Sequence, residues 1–132
     1  MVGRLFLLVG MTIVLGCGEY DVSGVYSGVL SQTENDCRLP IGEALDQTIT
    51  VTQSGTDVTL TMEGREETLT GTAVGDSFTA EESHVTESDL LASTLVRASN
   101  ITNDEADFEV TLSAGDIDLV CKAIFSGPVN RE

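Results

Sequence analysis

The residues of this chain that could do chemistry are few: one histidine, three cysteines and two short groups of acids. His84 follows Ser83 and lies amid Glu81, Glu82, Glu87 and Asp89, which supplies the residue types of a Ser-His-Asp relay. A relay needs groups that converge from separate parts of a fold, and neighbours on one segment rarely do so; the Gly-x-Ser-x-Gly elbow that presents a nucleophilic serine is also absent from the sequence. A solvated acidic loop accounts for the same residues, so no catalytic residue is assigned and the chain is not read as an enzyme. The groupings Asn103-Asp104-Glu105-Asp107 and Asp116-Asp118 offer oxygen donors of the kind calcium collects, about six to eight at a time, but neither follows the EF-hand order. Turn-forming Asn and Asp explain the first group, and charges that discourage edge-to-edge pairing explain the second. No metal site and no cofactor are assigned; loose, nonspecific association of divalent cations with an acidic surface is expected. Asn100-Ile101-Thr102 matches the N-glycosylation pattern and is read as a chance match.

Composition narrows the possible partners. The 132 residues carry 22 Asp and Glu against 6 Lys and Arg, a formal charge of −16, on a 41% hydrophobic background. That balance is globular, too apolar for an acidic disordered tail, and the length suits one domain. The negative surplus repels nucleic-acid phosphates, so DNA and RNA are excluded as partners. With no Trp and a single His, the chain also has little material for a histidine metal site or a base-stacking platform.

The amino-terminal segment reads as an address. One basic residue, Arg4, precedes eleven almost wholly apolar positions, Leu5 to Leu15, that end at Gly16 and Cys17. This is signal-peptide architecture. Eleven residues make about 16 Å of helix, about half the hydrocarbon thickness of a bilayer, which is too short for a permanent span. The junction Val14-Leu15-Gly16-Cys17 resembles the lipobox of bacterial lipoproteins, although Leu15 is a less usual choice at its second position. The resemblance implies cleavage between Gly16 and Cys17 and a diacylglyceryl thioether on Cys17, which becomes an acylated, membrane-anchoring amino terminus. Residues 1–16 are then the signal peptide, and the 116 residues that remain carry 22 acids against 5 basic residues, a charge of −17. Gly18, where enterobacterial lipoproteins retained at the inner membrane have Asp, points to an outer membrane. An ordinary secretory signal cut near Gly16 or Gly18 is the competing reading.

Once Cys17 is assigned to lipid, Cys37 and Cys121 remain as a pair, and an oxidising cell envelope favours a disulfide between them. Cys121 falls in phase with Ile117, Leu119, Ala123 and Phe125, as a residue pointing inward from a late strand does. A redox or metal role for the pair has no CxxC spacing or adjacent His to support it.

From Ser23 onward the hydrophobic period is two, which indicates half-buried antiparallel strands. Thr48 to Thr52 and Val58 to Met62 alternate apolar residues with Thr around Ser54-Gly55, a hairpin pattern; a second hairpin turns at Gly75-Asp76, and Gly115-Asp116 turns the segment Phe108–Leu112 into an Ile117–Phe125 strand. Thr86 to Ala98 fits either a helix, with Thr86 and Asp89 as a capping box, or a strand in which Leu90, Ala92, Thr94 and Val96 alternate; the strand is preferred. Gly24 to Gln32 is the first strand and Ser31 to Leu45 one long loop. The expected fold is all-β, an antiparallel meander of about eight strands, closed into an up-and-down barrel rather than packed as a two-sheet sandwich. The expected organisation is a lipidated terminus and tether at 17–23, one β domain at 24–127 and a tail at 128–132.

Gly24-Val25-Tyr26 stands where lipocalin-like barrels place a Gly-x-Trp motif on the first strand, and Arg131 stands near the end, where many of them have a basic residue packed over that Trp. The mature domain thus resembles the lipocalin-like barrels, with Tyr in place of Trp. The resemblance implies a barrel that holds a small apolar ligand, and the small residues Gly71, Ala73, Ala80 and Ala123 are the positions that would leave a cavity. Two functions follow from the sequence. The first is a non-catalytic, lipid-anchored envelope lipoprotein whose acidic β domain contacts other envelope proteins; the second is a carrier of a small apolar ligand.

Overall fold

A computed structural model describes residues 20–37, 44–116 and 120–132. Within them run β1 (Gly24–Asn35), β2 (Ala44–Ser54), β3 (Asp57–Met62), β4 (Thr68–Val74), β5 (Ser77–Val85), β6 (Leu91–Ser99), β7 (Glu105–Gly115) and β8 (Val120–Arg131). Each strand pairs antiparallel with the next, and β8 returns to β1, which closes the meander into a barrel.

Alternation sets the two faces. On β2 and β3 the side chains of Ile49, Val51, Val58, Leu60 and Met62 are buried, while Thr50, Thr52, Thr59 and Thr61 face water. The threonines meet across strands, Thr50 opposite Thr61 and Thr59 opposite Thr70, where β-branched pairs favour the pleated surface. Gly55 and Gly75 sit at φ 65° and 60° in two-residue connections, a backbone region open to glycine without cost.

The interior is filled around three rings. Tyr26 and Phe108 lie 5.0 Å apart between centroids, and Phe78 meets Phe108 edge to face at 5.7 Å. The small residues expected to leave a cavity are matched by large ones: Ala73 faces Phe78, Ala80 faces Val96 and Ala123 faces Leu112. Gly71 has a different reason, since a Cβ there would stand 1.7 Å from the Thr79 carbonyl oxygen. It is glycine because β4 and β5 approach at that point, not because space is needed beside it.

The two ends of the barrel differ. One carries the connections 55–56, 75–76 and 100–104 together with residues 20–23, and Val22 and Ile101 plug it as part of the core. The other, the mouth, carries the connections 63–67 and 86–90, the ends of β1 and β7 and the starts of β2 and β8.

Several boundaries differ from the sequence reading. The expected loop Ser31–Leu45 is strand at both ends, because Ser31 pairs with both Ala44 and Ser126, and β1 reaches Asn35 through a bulge between Gln32 and Glu34. Polar residues hid this stretch from a periodicity argument. Thr86–Ala98 is strand from Leu91, preceded by a turn in which the Leu90 N–H donates to Thr86 Oγ1 and Asp89 has φ 63°. Residues 128–131, expected as a tail, belong to β8, where Val129 is buried and Asn130 pairs with both Ser27 and Glu105. Residues 20–23, expected as tether, pack on the barrel. The Ile117–Phe125 strand begins at Val120 within the described residues, while Ile117 and Leu119 lie outside them.

Cys37 and Cys121 form a disulfide with Cα atoms 4.9 Å apart, 84 positions apart in the chain. It joins the end of β1 to the start of β8, beside a two-way exchange in which the Asp36 N–H donates to the Lys122 carbonyl and the Lys122 N–H donates to Asp36 Oδ1. A Cys37→Ser, Cys121→Ser double variant is expected to lose about 4 to 5 kcal/mol of unfolding free energy in the chain-entropy account. Equilibrium urea unfolding measures it, and an unchanged midpoint contradicts the stapling role.

Candidate functional site

Three places on the barrel gather polar side chains with defined geometry. The first is a clamp at the plugged end. Arg131, at the last position of β8, lies over the Tyr26 ring with its guanidinium carbon 5.6 Å from the centroid. Its Nη1 donates to the Thr102 carbonyl at 2.8 Å, and its Nη2 donates to the carbonyls of Asp21 and Ser23 at 2.7 and 2.8 Å. One planar cation thus holds three carbonyls on two backbone segments and covers an aromatic face, a task for which an ammonium is poorly shaped. Beneath it Tyr26 is fully buried and its hydroxyl donates to the Val22 carbonyl at 2.6 Å. Burial pushes the Tyr26 phenol above its ordinary value of 10.0, against the pull of Arg131. Gly24 leaves room for the clamp, since a Cβ there would stand 3.2 Å from Arg131 Nε. The sequence pairing of Gly24-Val25-Tyr26 with Arg131 is therefore a physical contact.

The clamp extends into residues 20–23. The Tyr20 hydroxyl donates to the Ile101 carbonyl, the Val22 N–H donates to Gln53 Oε1, and the Gln53 N–H donates to Ser23 Oγ. Asp21 Oδ1 accepts the Ser23 N–H, which holds its carboxyl below the usual 3.8, with Arg131 adding to the effect. Gln53 was not singled out from the sequence. Its signal in the sequence is an amide that follows Ile49 and Val51 in the inward phase of β2.

The second place is the mouth. Glu82, His84, Thr94 and Gln47 continue the inward phase of Phe78, Ala80, Val96 and Ile49. His84 Nδ1 and Glu82 Oε1 are 2.6 Å apart, and Glu82 faces Thr94 across β5 and β6. Arg65 reaches from the β3–β4 connection to donate from Nη2 to Thr94 Oγ1 at 3.0 Å, and its Nε lies 3.4 Å from Glu67 Oε1. Gln47 Nε2 donates to the Glu63 carbonyl. Glu82 Oε2 is buried and has no hydrogen-bond partner among the described residues. These residues were expected as a solvated acidic loop. The structure instead places Glu81 to His84 in β5, and the two-residue period sends Ser83 to the outer face, away from His84.

The third place is the outer surface over β5 to β8, where a hollow of about 570 Å³ is lined by Thr79, Arg97, Asp107, Glu109, Ser126 and Gly127. Asp107 Oδ2 there accepts from Asn100 Nδ2 at 2.9 Å.

The acidic groups read for calcium are engaged locally. Thr102 Oγ1 accepts the N–H groups of Asp104 and Glu105, and the Asp104 carbonyl accepts the Arg131 N–H, so Asn103–Asp107 shapes the turn into β7. Asp118 lies outside the described residues, as do Gly16 and Cys17 and with them the cleavage and lipidation positions. Asp36 stands with Cys37 and Cys121 in a cluster of metal-ligand types, but the disulfide uses both sulfurs. Comparison of the chain with known protein families, with curated proteins and with solved structures finds no match. The fold and these three places are what there is to reason from.

Replacing Arg131 with alanine is expected to cost about 2 to 3 kcal/mol, because it leaves three carbonyls and an aromatic face without a partner. Lysine should restore only a minor part. Urea unfolding of both variants measures this, and full rescue by lysine contradicts the clamp.

Proposed function

We propose that this protein is a lipid-anchored lipoprotein of the bacterial cell envelope, on the outer membrane, whose acidic barrel is a non-catalytic interaction module. The observation that supports the reading is where the chain leaves the barrel. Tyr20 is already fixed to the plugged end, so Cys17 lies within about 10 Å of it, three residues at about 3.3 Å each. An acyl anchor on Cys17 holds that end close to the membrane and turns the mouth away from it. The filled interior favours contact through the outer surface over transport of cargo. In the native host, a Cys17→Ser variant is expected to leave the membrane fraction and to lose incorporation of a labelled fatty acid. A variant that stays with the membrane overturns the anchor.

A second reading, a lipocalin-like carrier, draws support from Glu82. Its second oxygen, without a hydrogen-bond partner among the described residues, suits a small amphiphile with a hydrogen-bond donor at one end, lying over Ala92, Leu112 and Ala114. Native mass spectrometry of protein taken from its own envelope separates the two: the module reading expects the bare polypeptide-plus-acyl mass, and an additional mass lost on denaturation establishes the carrier.

A further inference from the structure

Of the six exposed large hydrophobic residues among the described residues, Val29 and Val74 stand apart on β1 and β4, and the other four gather at the mouth. Val85, Leu91 and Val120 are 66%, 53% and 72% exposed, and they fall in a single row across four strands. Val85 pairs with Leu91, Leu91 with Gly115 and Gly115 with Val120. Because Gly115 carries no side chain, the row has a gap between Leu91 and Val120. That gap is a groove of about 480 Å³ with Ser93, Ser113 and Ala114 along it and the acidic residues Asp89 and Asp116 on its lining. The next outward row is Ser83, Ser93, Ser113 and Lys122; the three serines leave the gap open on β5 to β7, and the Lys122 ammonium turns toward Glu34 of β1, 3.7 Å away. Leu90, in the turn before β6, adds a further partly exposed aliphatic beside it.

We propose that this groove docks a basic polypeptide segment, which inserts one aliphatic side chain over Gly115, between Leu91 and Val120, and sets flanking lysines or arginines against Asp89 and the acidic surface of the barrel. The proposal rests on the interaction-module reading and names the surface that module uses. Charge selects the occupant. A second copy brings −16 against −16, and an anionic bilayer surface is repelled in the same way, whereas a cationic segment is drawn in and oriented. Position agrees with charge, since the row lies at the mouth, opposite the end where the chain enters from Cys17. A slot between two exposed aliphatics gives the apolar contact a fixed register, and the acids around it contribute rate and selectivity more than affinity.

The test uses the mature chain, isotopically labelled and purified in a neutral detergent, with an amidated peptide that has a central leucine flanked by lysines on both sides. The expected result is saturable shifts of the Ser93, Ser113 and Gly115 amides that weaken as salt is raised. Binding should fall at least tenfold, about 1.4 kcal/mol, for Val120→Ser, for Gly115→Val, which fills the slot, and for a peptide with serine in place of leucine. Both variants sit at outward positions near strand ends, and an unchanged urea midpoint shows that each is folded. Equal binding by the variants, or by the serine peptide, reduces the effect to charge attraction and overturns the proposal. So does absence of binding, binding to neutral vesicles that Val120→Ser abolishes, or self-association that the same change abolishes. Photo-crosslinking in the native envelope from Thr59 and Thr70, on the opposite outer face, separates the two levels. Failure at the groove with a discrete crosslink elsewhere removes this surface and leaves the module standing; failure at every position, with Cys17→Ser still membrane-bound, removes the module itself.

Discussion

Closure of β1 against β8 is the constraint on which the rest of the structure depends. A meander of hairpins needs only local pairing, whereas this seam joins the first strand to the last and must overcome the closure entropy of most of the chain. It is also the least regular ladder. Partners run from Tyr26 and Arg131 to Ser27 and Asn130, resume at Ser31 and Ser126, and shift at a bulge between Gln32 and Glu34. Pro128 falls in the interrupted stretch and has no N–H to donate. Gly28 lies against it so closely that a Cβ would stand 3.1 Å from the Pro128 carbonyl oxygen. The seam is held at both ends instead: Arg131 and Tyr26 at one, the Cys37–Cys121 bridge with the Asp36–Lys122 exchange at the other.

From those two fastenings follows the division of the barrel. At the Arg131 end, Tyr26, Phe78, Phe108 and Phe125 occupy the interior, short turns close the strands, and Val22 and Ile101 cap what is left. Toward the mouth the inward residues become polar, and Arg65, Thr94, Glu82 and His84 are linked in pairs rather than packed as a core. A buried carboxylate oxygen with no donor among the described residues costs less in such polar surroundings than it would among the aromatic rings. Packing thus belongs to one end of the barrel and adaptable polar chemistry to the other.

What the sequence made legible follows the same division. The threonine-alternating hairpins were readable because each strand has one wet and one dry face and Gly55 and Gly75 mark the turns. Cys37 and Cys121 could be paired by arithmetic, and Gly24, Tyr26 and Arg131 by resemblance, because those contacts use residue types with few other reasons to stand where they do. The second half of β1 was not legible. Its alternation dissolves into Gln32, Thr33 and Glu34, and its pairing is fixed by a bulge and by the Thr33 hydroxyl donating to the Ile124 carbonyl, neither of which leaves a periodic trace. Glu82 and His84 were misread for the converse reason. They keep the inward phase of Phe78 and Ala80, but charged residues in that phase read as a loop unless the chain is already known to close around them.

The clamp at Arg131 also bears on how the barrel meets its proposed anchor. A chain held at Cys17 and loaded by a partner at the far end would pull first on residues 20–23, and in a meander with a free first strand such a pull would peel β1 from its neighbours. Here the load passes elsewhere as well. The Asp21 and Ser23 carbonyls are held by a side chain of β8, the Val22 N–H by Gln53 of β2, and the Tyr20 hydroxyl by the Ile101 carbonyl between β6 and β7. Three elements, β8, β2 and the β6–β7 connection, share it with β1, whose Tyr26 hydroxyl donates to the Val22 carbonyl. The polar contacts that look redundant for folding a small barrel are therefore those that would bear a load from the anchor proposed at Cys17, and they lie at residues 20–23.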